Sequence, residues 1–325
     1  LAVLLAAFVQ KEWKNQTRSP FDWQGFAAIV LFMPLAIYAL ARGNSPSNPG
    51  GWSAPEVIGC FIVAGAALAW FIVAELRNPA PLLQIRLLAE RNFGISMAVL
   101  TLFAIGMLGG TYLLPLYMQR GLGYTALAAG SMFLPVGVIQ GVLSAVSGYL
   151  TRYVRPLLLS AAGILIMALS FWLASRFTLH TTHGHILFIL YLRGFGMGLT
   201  FAPLNLFSLK NLTQQDMAAA AGISNSIKQL AGSIGIALLT VIFSARTSYH
   251  AAHETVSAAQ TYVEGVTDAL RVVAVITLAA LLPLLGVFRK KRPGKSGVKG
   301  AATPSPGEAV SGKTDKTTIY RTKPE

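Results

Sequence analysis

The chain has 325 residues, of which 54% are hydrophobic and only 12% charged, with a formal net charge of +14. A soluble domain carries roughly twice that charged fraction, so composition excludes a soluble globular domain. The single cysteine, Cys60, lies inside an apolar run and excludes a disulfide framework or a cysteine-based metal motif.

The apolar residues collect in runs of about 20, the length of helix that crosses a hydrocarbon core roughly 30 Å thick. The opening LAVLLAAFVQ reads as the end of a span already in progress. Because the first residue is Leu1 rather than Met, the expected arrangement is a chain lacking its N-terminal portion. A loop at 10–23 follows. Eight complete spans are then expected, at 24–42, 56–76, 95–119, 124–150, 156–175, 185–208, 218–245 and 269–288. Short connectors rich in Gly, Pro, Asn and Ser, such as RGNSPSNPGGW, separate them.

Orientation follows from the basic residues of those connectors. Lys11, Lys14, Arg18, Arg77, Arg86, Arg91, Arg152, Arg155 and Lys210 fall on one set of alternate connectors. Arg42, Arg120, Arg176 and Arg246 fall on the other. The positive-inside rule therefore expects the richer side, and with it the C-terminal RKKRPGK run, in the cytoplasm. The tail 289–325 has scarcely any apolar residue and is expected to be a disordered basic segment. Its charge suits anionic lipid next to the last span rather than nucleic acid.

Several spans carry unusual residues. Span 95–119 contains Gly106, Met107, Gly109 and Gly110, then Pro115, which removes a backbone donor and is expected to bend the helix. Tyr112, Tyr117 and Gln119 add polar edges near its extracytoplasmic end, and Pro135 is a kink candidate in the next span. Span 185–208 contains RGFGMGLTFAP: Gly194, Gly196 and Gly198 permit close approach of a neighbouring helix, and Pro203 is expected to kink it. Arg193, about two turns in, has two readings. Either it snorkels to the outer interface, or it faces a cavity or gate at a cost of about 2.5–3.5 kcal/mol.

The five histidines, His180, His183, His185, His250 and His253, all fall in HTTHGH and SYHAAH, two expected extracytoplasmic loops. No clear carboxylate completes a metal site there, although Glu254 is adjacent, so neither a metal nor a ligand role is expected. Glu75 sits at a cytoplasmic span end; Glu56 and Asp268 sit at extracytoplasmic ends, with Arg271 one turn from Asp268. No acid is expected at mid-membrane in the last six spans. The H-E-x-x-H and G-x-S-x-G patterns are missing from the sequence, which argues against an enzyme.

The stretch GISNSIKQLAGSIG puts a lysine inside span 218–245. On a helix, Ile223, Ile227, Leu230, Ile234, Leu238 and Val241 form one apolar face. Ala221, Asn225, Gln229 and Ser233 form a small polar row on another side, with Lys228, Gly232 and Gly235 beside it. Lys228 either snorkels back toward the cytoplasm, or stands with Asn225 and Gln229 on a cavity wall or a seam with another bundle.

Three stretches, RNFGISMAVLTLFAIGMLGGTYLLPLYMQRGLGYTALAAGSMFLPVGV, YLRGFGMGLTFAPLNL and AAGISNSIKQLAGSIG, in this order on these spans, resemble the major facilitator superfamily. The closest likeness is to its EmrB/QacA-type drug:proton antiporters of fourteen spans. The resemblance implies an all-α polytopic membrane protein. Residues 1–9 would end the sixth span of an upstream bundle, 24–77 would be a two-helix linker hairpin, and 95–288 would be the C-terminal six-helix bundle. SGYLTRYVRPLLL, with Gly148, Arg152 and Arg155, resembles the superfamily's cytoplasmic signature loop, but Thr151 stands where an acid belongs and the loop is short. The resemblance implies a substrate cavity involving Met107, Tyr112, Tyr117, Gln119, Arg193, Phe201, Asn205, Asn225, Lys228 and Gln229. Gating or kink positions would be Pro115, Pro135, Gly194, Gly196, Gly198, Pro203, Gly232 and Gly235.

The function it implies is export of lipophilic or cationic drug-like molecules in exchange for protons, by alternating access in a bacterial inner membrane. It implies no cofactor beyond the proton gradient. Partners would be the bilayer, substrate, protons and, in some such systems, a periplasmic adaptor protein. With no mid-membrane acid in this bundle, the proton carrier is expected upstream. An exporter of one endogenous metabolite or siderophore, and a non-transporting membrane scaffold or sensor, are the alternatives.

Overall fold

A computed structural model of the chain describes residues 23–43, 48, 50–77, 85–214, 216–253 and 257–289. The expected partial span at 1–9, nearly all of the loop after it, and the tail beyond Arg289 lie outside the described residues. Every regular element among the described residues is helical. Helix α1 runs Trp23–Gly43 and α2 Pro55–Arg77. Then come α3 Arg91–Leu116, α4 Ala126–Ser131, α5 Leu134–Leu150, α6 Pro156–Ala174, α7 His183–Leu209, α8 Met217–His253, α9 Ala258–Ala279 and α10 Leu281–Arg289. By length and composition, seven helical stretches among the described residues are long and apolar enough to cross a membrane, and α1 adds a shorter apolar segment.

Local chemistry sets the helix starts. Pro55 and Pro156 occupy first turns, where a missing N–H costs nothing. Glu90 caps α3 by accepting from the Phe93 amide at 2.7 Å, and Ser257 caps α9 by accepting from the Gln260 amide at 3.3 Å. Helices α1 and α2 pack on each other as a hairpin, closed by an ion pair between Arg42 Nε and Glu56 Oε1 at 2.9 Å. In the bundle, α7 packs on α6, α5 and α3, while α9 packs on α8, α6 and α3, and α3 packs on α8. Phe93, Phe103, Leu113 and Phe171 are among the side chains buried at its centre. Large apolar side chains such as Leu127 (84% exposed) and Leu134 (72% exposed) point outward, a surface suited to lipid rather than water.

The glycines of α7 set its two neighbours. A Cβ at Gly196 would lie 2.8 Å from the Met167 nitrogen and 2.9 Å from the Gly163 carbonyl oxygen, so α6 and α7 meet backbone to backbone. On the opposite side, a Cβ at Gly198 would come within 2.6 Å of Leu143 Cβ, and one at Gly194 within 3.1 Å of the Val136 carbonyl oxygen. Helix α5 therefore lies tight against that face, and Ser147 Oγ donates to the Gly198 carbonyl at 2.9 Å.

Four boundaries differ from the expectation. The span at 124–150 is two helices, α4 and α5, broken around Met132 and Phe133 with Pro135 in the first turn of α5, because proline supplies no amide for the preceding turn. Helix α3 ends at Leu116, one residue after Pro115, and passes into a π-type turn at Tyr117–Gly121. Helix α7, by contrast, continues through Pro203 to Leu209. Finally, α8 has 37 residues, about 55 Å of helix, and α9 begins at Ala258 rather than near 269. These two helices run past the roughly 30 Å of a hydrocarbon core as a helical hairpin. Apolar windows end at the first charges, but helix propensity does not, and the alanines of this segment keep it helical. SYHAAH is therefore helix, not loop.

Candidate substrate cleft

Helices α3, α7 and α8 converge near the end of α7 and the start of α8. There Asn211 Nδ2 donates to Glu90 Oε1 at 3.0 Å, tying the turn after α7 to the cap of α3. Between them opens a cleft of about 340 Å³, lined by Leu100 of α3, by Phe201, Asn205, Ser208 and Leu209 of α7, and by Ala221, Ser224, Asn225 and Lys228 of α8. Phe201 is held edge-on against buried Phe103, ring centroids 5.5 Å apart. The rotation of α8 is set by Gly232 and Gly235, which seat it on α3; a Cβ at Gly235 would lie 2.8 Å from Ile105 Cα.

That rotation turns Asn225 outward and leaves Lys228 half-buried in the wall. No carboxylate lines the cleft, and among the described residues no ion pair joins Lys228. The cleft thus offers one ammonium and two side-chain amides above an apolar floor. The buried face of α8 is built from small residues, Ala220, Ala231, Gly232 and Gly235, with Ile223 and Leu239. Ile234 and Leu238, expected in one apolar stripe with Ile223, are largely exposed. Close helix packing selects small side chains, and lipid accepts the large ones.

Phe201, Asn205, Asn225 and Lys228 are thus brought together, with exposed Gln229 beside them on α8. Tyr112 and Gln119 are exposed but lie away from the cleft, Tyr112 on the far stretch of α3, about 18 Å along the helix from Leu100, and Gln119 in the π-type turn beyond it. Met107, Tyr117 and Arg193 are corrections to the expected cavity set, since all three are buried within the bundle. The Tyr117 hydroxyl donates to the Thr178 carbonyl at 2.7 Å, and its ring stacks on Phe177 at 4.8 Å. Arg193 is 2% exposed and neither snorkels nor faces the cleft. Its Nη2 donates to the Met107 carbonyl at 3.0 Å and to Thr111 Oγ1, and its guanidinium lies 5.5 Å from the Phe171 ring centroid. A helix packed on three neighbours has no lipid side at this position, so the side chain bridges α7 to α3.

In the signature-like loop, the Arg152 guanidinium lies 5.2 Å from the Tyr149 ring centroid, and Tyr149 meets Tyr153 edge-on at 5.8 Å. Arg155 precedes α6 and is exposed. A Cβ at Gly148 would meet nothing within 4 Å, so no close approach uses that glycine here.

Sequence reasoning missed a charged group on the α8–α9 hairpin. His250 Nε2 is 3.1 Å from Asp268 Oδ2, and its Nδ1 is 3.6 Å from Glu264 Oε2. Arg271 Nη1 meets Asp268 Oδ1 at 2.7 Å, and Arg246 Nε meets Asp268 Oδ2 at 3.8 Å. The available signal was spacing: Arg246 with His250, and Glu264 with Asp268, are each one turn apart on consecutive helices. His250 is therefore an ion-paired side chain on a helix, where a loop position was expected.

Membrane-length helices packed through glycines around an open-sided polar cleft define a polytopic α-helical membrane protein of the transporter type. Residues 19–236 match the family model of the Major Facilitator Superfamily, and the chain belongs to that family. It is 31% identical over 241 residues to the multidrug export protein EmrB of Escherichia coli (strain K12), covering 74% of this chain and 46% of EmrB. It is 29% identical over 234 residues to the fatty acid resistance protein FarB of Neisseria gonorrhoeae, covering 72% and 45%. With the lincomycin resistance protein LmrB of Bacillus subtilis (strain 168) the identity is 28% over 202 residues, covering 62% and 42%. The chain spans about half the length of the curated relatives it matches.

Proposed function

We propose that the chain is the C-terminal part of a secondary transporter that exports lipophilic small molecules in exchange for protons. A six-pass bundle of this kind works against a second bundle, the two rocking about a site between them. The observation that carries this reading is the cleft at Lys228, whose ammonium and amides have an open side and an apolar floor. The names of the relatives, multidrug export, lincomycin resistance and fatty acid resistance, support export as the direction.

The cleft also narrows the substrate class. An unneutralised ammonium repels a cation and favours an acid head group. The preferred substrates are therefore lipophilic acids or neutral compounds rather than the cations included in the initial expectation. The basic connectors support a cytoplasmic side for the cleft end and the C-terminus, where substrate would load, and the host membrane would be a bacterial inner membrane. The proton carrier belongs to the part of the transporter outside this chain, and a periplasmic adaptor is a further partner for such an exporter.

The test is uptake into everted vesicles by the full-length protein, with and without a pH gradient, using lipophilic acids, neutral compounds and lipophilic cations. Acid uptake that collapses when the gradient is dissipated is the expected result. Gradient-independent binding without uptake would overturn the transporter reading. Preference for cations would overturn the substrate class alone.

A further inference from the structure

The α8–α9 hairpin holds a titratable group that the cleft does not use, about 33 Å along α8 from Lys228. The His250 ring lies between two carboxylates of α9, Asp268 at 3.1 Å from Nε2 and Glu264 at 3.6 Å from Nδ1. The His250 and Asp268 side chains are only 15% and 17% exposed, so water replaces these contacts poorly. A neutral imidazole has one N–H and one lone pair. Between two carboxylates it must turn the lone pair toward one of them. Only the imidazolium presents an N–H to each, attracting Glu264 across 3.6 Å as an ion pair rather than a hydrogen bond.

The neighbours divide the roles of the two acids. Asp268 also meets Arg271 at 2.7 Å and Arg246 at 3.8 Å, so its charge is compensated whatever His250 does. Glu264 accepts from Gln260 Nε2 at 3.1 Å through Oε1, whereas its Oε2 is buried with no hydrogen bond. The Glu264–His250 contact is therefore the one that depends on the ring proton. Around it stand Tyr249 and His253 on α8, with Tyr249 and the His253 ring 4.4 Å apart. Arg120, in the π-type turn after α3, lies within interaction range of Tyr262 of α9. From the turn between α6 and α7, His180 shares with Glu264 a cavity of about 190 Å³.

We propose that His250, Asp268 and Glu264 form a proton-binding site that clamps α8 to α9 when His250 is protonated and frees Glu264 when it is not. Protonation favours the clamp, so it is closed in acid and loosens as pH rises through the histidine range. On the transporter reading above, on which this last consequence rests, the site makes the outward end of the bundle responsive to external pH without carrying the coupled proton.

The experiment measures the hairpin directly in the full-length protein, independently of transport. With Cys60→Ala as background, spin labels at Ala252 and Ala259, both exposed, report the α8–α9 distance by pulsed electron resonance between pH 5.5 and 8.5. The expected wild-type result is a narrow distribution at low pH that broadens or lengthens with a midpoint in the histidine range. His250→Ala is expected to be broad throughout, and His250→Lys, which keeps a fixed charge, narrow throughout. Glu264→Gln is expected to lose most of the pH response. A wild-type distribution unchanged across the range, or a pH response that survives His250→Ala, would overturn the clamp. Failure of transport with an intact pH response would instead overturn the transporter reading and leave the clamp standing.

Discussion

Arg193 of α7 donates to the main-chain carbonyl of Met107 on α3 at 3.0 Å, while its Nε and Nη1 find no hydrogen-bond partner among the described residues. A fully charged group is thus held in the bundle by one carbonyl, one hydroxyl and the face of Phe171. It joins two helices that also meet through the edge-on pair of Phe103 and Phe201. Removing it should cost packing and the charged hydrogen bonds to Met107 and Thr111, about 1–3 kcal/mol, although Thr111 Oγ1 still donates to the Met107 carbonyl. Arg193→Ala is expected to lower the thermal midpoint of the purified protein in detergent, and Thr111→Val to lower it less. Arg193→Lys should not restore stability, because an ammonium cannot stack on Phe171 as a planar guanidinium does. Equal midpoints for wild type and Arg193→Ala would show that the bridge contributes nothing.

Gly196 and Gly148 make opposite predictions from the same substitution. A methyl group at Gly196 meets the backbone of α6, whereas one at Gly148 meets open space. Gly196→Ala is expected to separate α6 from α7 and reduce the folded yield recovered from membranes. Gly148→Ala should leave yield unchanged or slightly raised, since alanine is the better helix former. Size-exclusion profiles of fluorescent fusions compare the two, and equal losses would refute the packing argument.

Lys228 tests the cleft. With no acid beside it, Lys228→Ala should leave insertion and folding intact and weaken export of a lipophilic acid roughly tenfold or more, the scale of one charged hydrogen bond. Lys228→Glu should reverse the preference toward lipophilic cations. Wild-type export by Lys228→Ala, measured in everted vesicles, would show that the ammonium only snorkels.

The acids of this chain make a separate prediction. No carboxylate lines the cleft, so Glu75→Gln and Asp268→Asn in the full-length transporter are expected to keep the proton-to-substrate exchange ratio. Asp268→Asn should change how rate depends on external pH, because it removes one carboxylate from His250. Loss of gradient-driven uptake in either variant would place the coupled proton in this half.

Much of the architecture was legible in the chain. Runs of about 20 apolar residues announce membrane helices because unpaired backbone groups cannot be left in hydrocarbon. Gly194, Gly196 and Gly198 announced tight packing, because only a missing Cβ lets two helix backbones touch. The site was legible in part. Asn225 and Lys228 stood out because polar groups inside an apolar run have few places to go, and the structure puts them with Phe201 and Asn205 in one cleft.

What the sequence determined by itself was the helical, membrane-spanning class, the family and the small-residue contact faces, all of which depend on local composition and spacing. The tertiary structure alone decided which side of each helix faces a neighbour. Helical periodicity sorts residues into faces but does not say whether a face meets lipid, another helix or an opening. For that reason Arg193 and Tyr117 went to the interior, Ile234 and Leu238 to the outside, and His250 to a pair of carboxylates on the next helix.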